Sequence, residues 1–261
     1  MDLTYHSYLK VEELLSLQEL QSPQEHDEML FIIIHQSYEL WFKQMLHELD
    51  FVCAKLAEGN LDRAGHNLRR SLTILKVLVH QVDILETMTP LEFLSFRDYL
   101  QSASGFQSYQ WRELEFLLGV KTAAHFARFP EGSAIRERLE RRYREPSLWQ
   151  WFLAFLRTKG YDVPGPGAGP PDDASSLRTG TIRNTLTDIY LHAPPVARFC
   201  ELLVDLDEGM QEWRYRHVKM VERTIGNKTG TGGSSGVDYL RATLFNPVFP
   251  DLWAIRTDFR P

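Results

Sequence analysis

The sequence predicts an all-α protein, a bundle of long helices, and three observations carry that prediction. Apolar residues recur at three-and-four spacing over long stretches, and helix-capping residues sit where those stretches begin and end. No convincing alternating strand pattern or internal repeat occurs. With 261 residues and 43% hydrophobic content the chain can enclose a continuous core, expected as one domain with a smaller inserted helical portion.

The elements follow in order. Ser22-Pro23-Gln24-Glu25 offers a Ser N-cap, a Pro at the first helical position and a Glu three residues after the cap, a capping box that predicts a helix start. From Met29 through Leu30, Phe31, Ile34, Tyr38, Trp41, Phe42, Met45 and Leu49 the helical spacing persists until Gly59 stops it. A second long helix is expected through Leu61, Leu68, Leu72, Leu75, Leu78, Val82 and Leu85. Thr89-Pro90-Leu91-Glu92 is another capping box, and the helix it opens carries Phe93, Phe96, Arg97 and Leu100. Ser104 to Ser108 breaks the pattern, which Trp111, Leu114, Glu115 and Leu118 resume up to Gly119. Between Arg136 and Leu156 two short helices around Pro146 are expected at the periphery of the core. The Pro/Gly cluster inside Gly160 to Thr181 predicts a mobile surface loop. A last long helix runs from about Val196 to Ile225, with Leu203, Met210, Trp213, His217, Met220 and Thr224 near one face and Gly226 as its stop.

Composition narrows the function. A net charge of −6 leaves no basic footprint for nucleic acid or an anionic membrane. The two cysteines, Cys53 and Cys200, lie in apolar helical patterns without CxxC spacing, so neither a disulfide framework nor a zinc knuckle is expected and a reducing cytoplasm fits. Neither a signal peptide nor a membrane span is expected, because no stretch reaches the roughly 18 apolar residues a span requires.

Four features could carry chemistry. His35 lies on the apolar face of the first long helix and should point into the bundle, as a satisfied core histidine or as a functional one. Arg97 sits among Phe93, Phe96 and Leu100, and a buried guanidinium requires an anion, either a carboxylate from another helix or that of a ligand. His217 has no second His or carboxylate three or four residues on, which argues against a zinc site. A haem needs only one protein nitrogen on that side, with Phe, Trp and Met as lining; a core histidine is the alternative. The segment Asn227 to Gly236 lacks the strand-loop-helix order of a phosphate loop, leaving an anion nest or a flexible linker.

Taken as a set, several blocks resemble the tryptophan 2,3-dioxygenase family. They are His26-Asp27-Glu28-Met29-Leu30-Phe31-Ile32-Ile33-Ile34-His35-Gln36, Glu39-Leu40-Trp41, Phe96-Arg97-Asp98, Ser104-Gly105-Phe106-Gln107-Ser108 and Gly230-Thr231-Gly232-Gly233-Ser234-Ser235-Gly236. The likeness runs from about Tyr5 to Arg256, within a single helical haem-binding domain over 1–261 whose less similar part is about 120–182. The resemblance implies a haem b, ferrous when active, with His217 as axial ligand of the iron and Ser104 near the haem. It places His35 on the distal side as the catalytic group that hydrogen-bonds the indole N–H. Arg97 and Thr231 would hold the amino-acid end of L-tryptophan. Phe31, Phe93 and Leu100 would pack on the substrate, joined by Tyr5 and Tyr8 from a neighbouring subunit of a homotetramer, a dimer of dimers. The implied reaction inserts both atoms of O2 across the indole C2–C3 bond to give N-formyl-L-kynurenine.

Two positions depart from the family pattern. Phe93 stands where some members have Tyr, and Ile34 replaces a more usual polar residue beside His35. Ile34 projects about 100° from His35 on a helix, so it should alter packing before catalysis, yet it leaves room for a modified substrate. Two alternatives therefore stay open: a relative that takes a substituted tryptophan or inserts a single oxygen atom, and a non-catalytic haem or amino-acid sensor.

Overall fold

The computed structural model describes residues 2–165, 180–226, 228 and 237–259. Its helices are α1 (Tyr5–Leu9), α2 (Val11–Leu15), α3 (Glu28–Ala57), α4 (Leu61–Leu85), α5 (Pro90–Phe96) and α6 (Tyr109–Leu118). They continue as α7 (Ala134–Arg144), α8 (Leu148–Thr158), α9 (Gly180–His192), α10 (Pro194–Ile225), α11 (Val237–Arg241) and α12 (Pro250–Ala254). Short 3-10 turns at Arg97–Leu100, Gly105–Gln107, Ala123–Arg128 and Ile255–Thr257 join or end them. No strand occurs among the described residues, as an all-α reading requires.

The long helices α3, α4 and α10 form the trunk. Their apolar faces meet in one cluster that includes Met45, Leu49, Leu68, Leu75, Leu78, Leu203, Leu206 and Met210, all buried. Gly209 lets Leu75 of α4 pack directly on the backbone of α10: a Cβ there would lie 2.7 Å from Leu75 Cδ2. Gly209→Ala is therefore expected to destabilise the fold by about 1–3 kcal/mol through overpacking, read as a lowered denaturant midpoint at unchanged slope. Two residues before it, Asp207 on α10 accepts hydrogen bonds from the N–H groups of Val248 and Phe249, at 2.9 and 2.8 Å, and from Trp253 Nε1 at 2.9 Å. Three donors satisfy this buried carboxylate and fasten the C-terminal segment to the trunk.

Local signals set several boundaries as read from sequence. Thr89 caps α5, its N–H donating to Glu92 Oε2 at 2.6 Å while its hydroxyl accepts from the Glu92 N–H. Gly119 ends α6 with φ +102°, a conformation that disfavours any side chain. The helix opened at Thr89 ends sooner than expected, at Phe96, and Arg97 to Leu100 tighten into a 3-10 turn.

Three expectations are corrected. The first long helix starts at Glu28, not at Ser22, because the Ser22 hydroxyl donates to the Glu28 carboxylate at 2.7 Å and is not used as a cap. The segment around Pro146 is peripheral only in its first half. In α7, Leu139 joins a satellite cluster with Phe116 and Phe129, and Arg138 and Arg142 pair with Glu113 and Asp50. In α8, Leu148, Trp149, Phe152, Leu153, Phe155 and Leu156 belong to the main core. The Pro/Gly loop does not extend to Thr181, because α9 begins at Gly180 and buries Ile182, Leu186 and Ile189 at helical spacing; residues 166–179 lie outside the described residues. Cys53 and Cys200 are buried and unpaired, and burial pushes both thiols up, so neither is a reactive thiolate.

Candidate active site

Where α3, α4 and α10 meet the α5–α6 connection, α6, α8 and the segment before α12, they line a partly open cavity of about 1350 Å³. Ordinary ligand pockets span roughly 300–1,000 Å³, so this chamber has room for more than one small molecule. Its walls are largely aromatic and aliphatic, among them Phe31, Phe42, Leu85, Met88, Phe93, Trp111, Trp213 and Met220. His35, Arg97, Ser104 and His217 line the same space, so the fold gathers residues spread from α3 to α10.

His35 lies one helical turn after Phe31, and its Nδ1 is 2.7 Å from the Phe31 carbonyl oxygen. A carbonyl only accepts, so Nδ1 carries the proton and Nε2 keeps its lone pair. The ring also leans on Phe31, with centroids 4.1 Å apart. Burial holds its pKa below the ordinary imidazole value, against the opposing pull of the Phe31 carbonyl and the Glu39 charge. Glu39, one turn further along, is gripped by Gln110 Nε2, which donates to its carboxylate at 2.8 Å and its carbonyl at 2.9 Å. That contact anchors the start of α6 to α3.

His217 comes from α10. Its ring lies flat on Trp213, with centroids 5.1 Å apart and planes 4° from parallel, and Trp213 leans in turn on Trp111 at 4.3 Å. Burial, then the nearby His35 and Arg112, pushes its pKa down to about 4, so the imidazole is neutral and can donate a lone pair to a metal. Arg216 holds the helix in place beside it, reaching Asp83 at 2.5 Å and Glu86 at 3.3 Å on α4. Among the described residues no three His, Cys, Asp or Glu side chains gather as a metal site.

The residues present fit a haem. Besides the neutral His217 and the apolar walls, the cavity holds two buried guanidiniums, Arg112 and Arg214, each 6% exposed, and of its carboxylates only Glu115, ion-paired to Arg112, is buried with them. The Nε of Arg112 has no hydrogen-bond partner among the described residues. A surplus of buried positive charge suits an anionic group such as a propionate. Sequence inspection missed this pair, because Arg112 and Glu115 at i,i+3 look like an exposed helical ion pair.

The other expected site residues divide. Phe31, Phe93, Arg97 and Ser104 line the cavity, whereas Leu100 packs behind it with the cluster of Ile34, Leu85, Met88, Phe93 and Phe96. Ile34 is buried in that cluster and is not part of the lining. Tyr5 and Tyr8 are 72% and 69% exposed on α1, which buries no side chain. Thr231 and the rest of the glycine-rich segment lie outside the described residues.

Comparison with known proteins points to one family. The sequence profile of the family described as Tryptophan 2,3-dioxygenase matches residues 1–162 and 186–259, which passes over part of the Pro/Gly loop but takes in the charged 120s to 140s. The chain is 57% identical over 260 residues to the tryptophan 2,3-dioxygenase of Herpetosiphon aurantiacus, covering 98% of each chain. It is 52% identical over 260 residues to the protein of that name from Anaeromyxobacter sp. strain K, covering 97% of this chain and 95% of the relative. Against the Nocardioides sp. protein, also so named, identity is 48% over 262 residues, covering 98% and 94%.

Proposed function

Since the chain belongs to the tryptophan 2,3-dioxygenase family of haem-dependent oxidoreductases, we propose that it inserts both atoms of O2 across the indole C2–C3 bond of L-tryptophan. The product is N-formyl-L-kynurenine, and the atoms balance without another reductant because both oxygens enter the product. The observation that carries this reading is the single cavity shared by His35, Arg97 and His217.

In this reading His217 would hold the iron of a haem b, Arg112 and Arg214 would pair with its propionates, and Ser104 would lie beside it. When bound and ferrous, the haem supplies the redox chemistry with O2. The chain's own residues bind and orient. The lone pair on His35 Nε2 accepts the indole N–H, Phe31 packs on the ring, and Phe93 lines the pocket toward the amino-acid end. Arg97, together with Thr231, grips the amino-acid end. Phe93 has no hydroxyl, so Arg97 takes the carboxylate without the added hydrogen bond that a Tyr there would give. Because Ile34 packs behind the lining, it gives no ground for a modified indole.

The arm formed by α1 and α2 supports a homotetramer, a dimer of dimers in which each arm reaches a neighbour. Neither helix buries a side chain, while Leu3, Tyr5, Tyr8, Leu15 and Leu17 are all exposed. Apolar and aromatic surface of this kind calls for a second protein surface, and a second copy brings Tyr5 and Tyr8 to the indole end of its pocket. A cytoplasmic setting accords with the two unpaired thiols. Among the described residues no helix is long and apolar enough to cross a membrane.

The depressed pKa of His35 has a visible consequence. Protonation would turn the Nε2 acceptor into a donor, so kcat/KM is expected to stay level as pH falls through the ordinary imidazole value of 6.5 and to decline only below it. A decline centred at or above that value would contradict the role. The function itself is tested by giving L-tryptophan and O2 to the reduced, haem-loaded protein. Formation of N-formyl-L-kynurenine is expected, and no oxygen-dependent loss of tryptophan would overturn the proposal.

A further inference from the structure

Glu28, the first residue of α3, is 1% exposed. Its carboxylate accepts hydrogen bonds from the Ser22 hydroxyl at 2.7 Å and from the N–H groups of Ser22 and Gln21 at 2.7 and 2.8 Å. Ser22 is itself fully buried. A buried carboxylate satisfied by three short donors on one turn fixes that turn, since moving it would leave the charge without partners.

The same stretch is fastened at two more points. Gln36 on α3 donates to the Leu17 carbonyl at 2.9 Å and accepts from Gln18 Nε2 at 2.6 Å. Gln24 Nε2 donates to the Tyr99 hydroxyl at 3.1 Å, within the 3-10 turn that carries Arg97. The root of the arm is thus tied to the two elements that present Phe31, His35 and Arg97 to the cavity. Outward of Leu17, α1 and α2 bury no side chain, so the root sets the direction in which they leave.

We propose that Glu28 is a positioning residue: its latch on Ser22 and Gln21 aims the arm so that Tyr5 and Tyr8 arrive at the pocket of the partner subunit. This rests on the arm exchange proposed above. A group that packs on the substrate loses up to ~10²-fold in rate for a misplacement of about 1 Å, so a loosened root should be felt at the pocket.

The test uses the full-length, haem-loaded protein with Glu28→Gln, Ser22→Ala, Tyr8→Ala and the double variant of Glu28→Gln with Tyr8→Ala. Glu28→Gln keeps the size of the side chain but turns an amide donor toward donors. It is expected to raise KM for tryptophan about tenfold with kcat within about twofold, while haem band and helix content are unchanged; Ser22→Ala should act in the same direction, about threefold. The double variant should fall clearly short of the product of the two single effects, because the latch acts through the arm that carries Tyr8 and Tyr5. An unchanged KM in Glu28→Gln when Tyr8→Ala raises it would overturn the latch and leave arm exchange standing. Fully additive effects, or a parallel loss of haem and kcat, would also overturn it as mere structural damage. If Tyr8→Ala leaves KM unchanged and the wild-type protein is monomeric by light scattering, arm exchange fails and the latch with it.

Discussion

Replacing His217 by alanine is expected to abolish the haem absorption band, while His35→Ala keeps it. The two histidines share one cavity and both are held neutral by burial, so protonation does not tell them apart. Their surroundings do. Trp213 presents the His217 ring flat and the Arg216 contacts hold its helix against α4, which gives the fixed single nitrogen that a haem iron requires. His35 instead spends Nδ1 on its own helix and offers a single acceptor. Loss of that acceptor should lower kcat/KM by about 10- to 100-fold, the worth of a hydrogen bond in a buried site. Equal loss of haem in both variants, read by absorbance after reconstitution, would mean that the axial and distal roles are wrongly assigned.

Arg97→Leu should produce the second large effect, a fall in kcat/KM for tryptophan of about 10²- to 10³-fold with haem content retained. A paired guanidinium and carboxylate in a largely apolar pocket is worth a few kcal/mol, and leucine leaves the ligand carboxylate unpaired there. Arg97→Lys should recover only part of the loss, since a point charge cannot reproduce the planar fork. Steady-state kinetics with tryptophan and with an indole lacking the amino-acid end separate the outcomes. A similar loss on both compounds would place Arg97 away from the carboxylate.

The trunk of this fold is legible in its sequence because helical spacing and caps act locally. Thr89 with Glu92, and Gly119 with its positive φ, needed no knowledge of the rest of the chain. Ser22 was misread for the opposite reason. Its capping box is correct as a local pattern, but a carboxylate six residues on competes for the same hydroxyl and wins by being buried. The inward position of α8 was equally hidden, since the charged α7 before it masks which of the two helices meets the core. α9 was readable from Ile182, Leu186 and Ile189, but the Pro/Gly run before it drew the loop assignment too far.

At the site, residue types were legible but their relations were not. Spacing put His35 and His217 on apolar faces, and whether they meet depends on how α3 and α10 cross. Arg112 and Glu115 escaped notice because burial alone distinguishes them from a solvated ion pair. Leu100 illustrates the reverse: it fits the apolar pattern beside Arg97, yet its side chain packs behind the wall of the cavity.

The central claim, that this cavity serves insertion of both oxygen atoms into tryptophan, is tested most directly by isotope. Reduced, haem-loaded protein is incubated with L-tryptophan under oxygen labelled in both atoms, and the product is weighed by mass spectrometry. The account predicts N-formyl-L-kynurenine carrying both labelled atoms from one O2. A product carrying one labelled atom, or unchanged tryptophan beside bound haem, would contradict it.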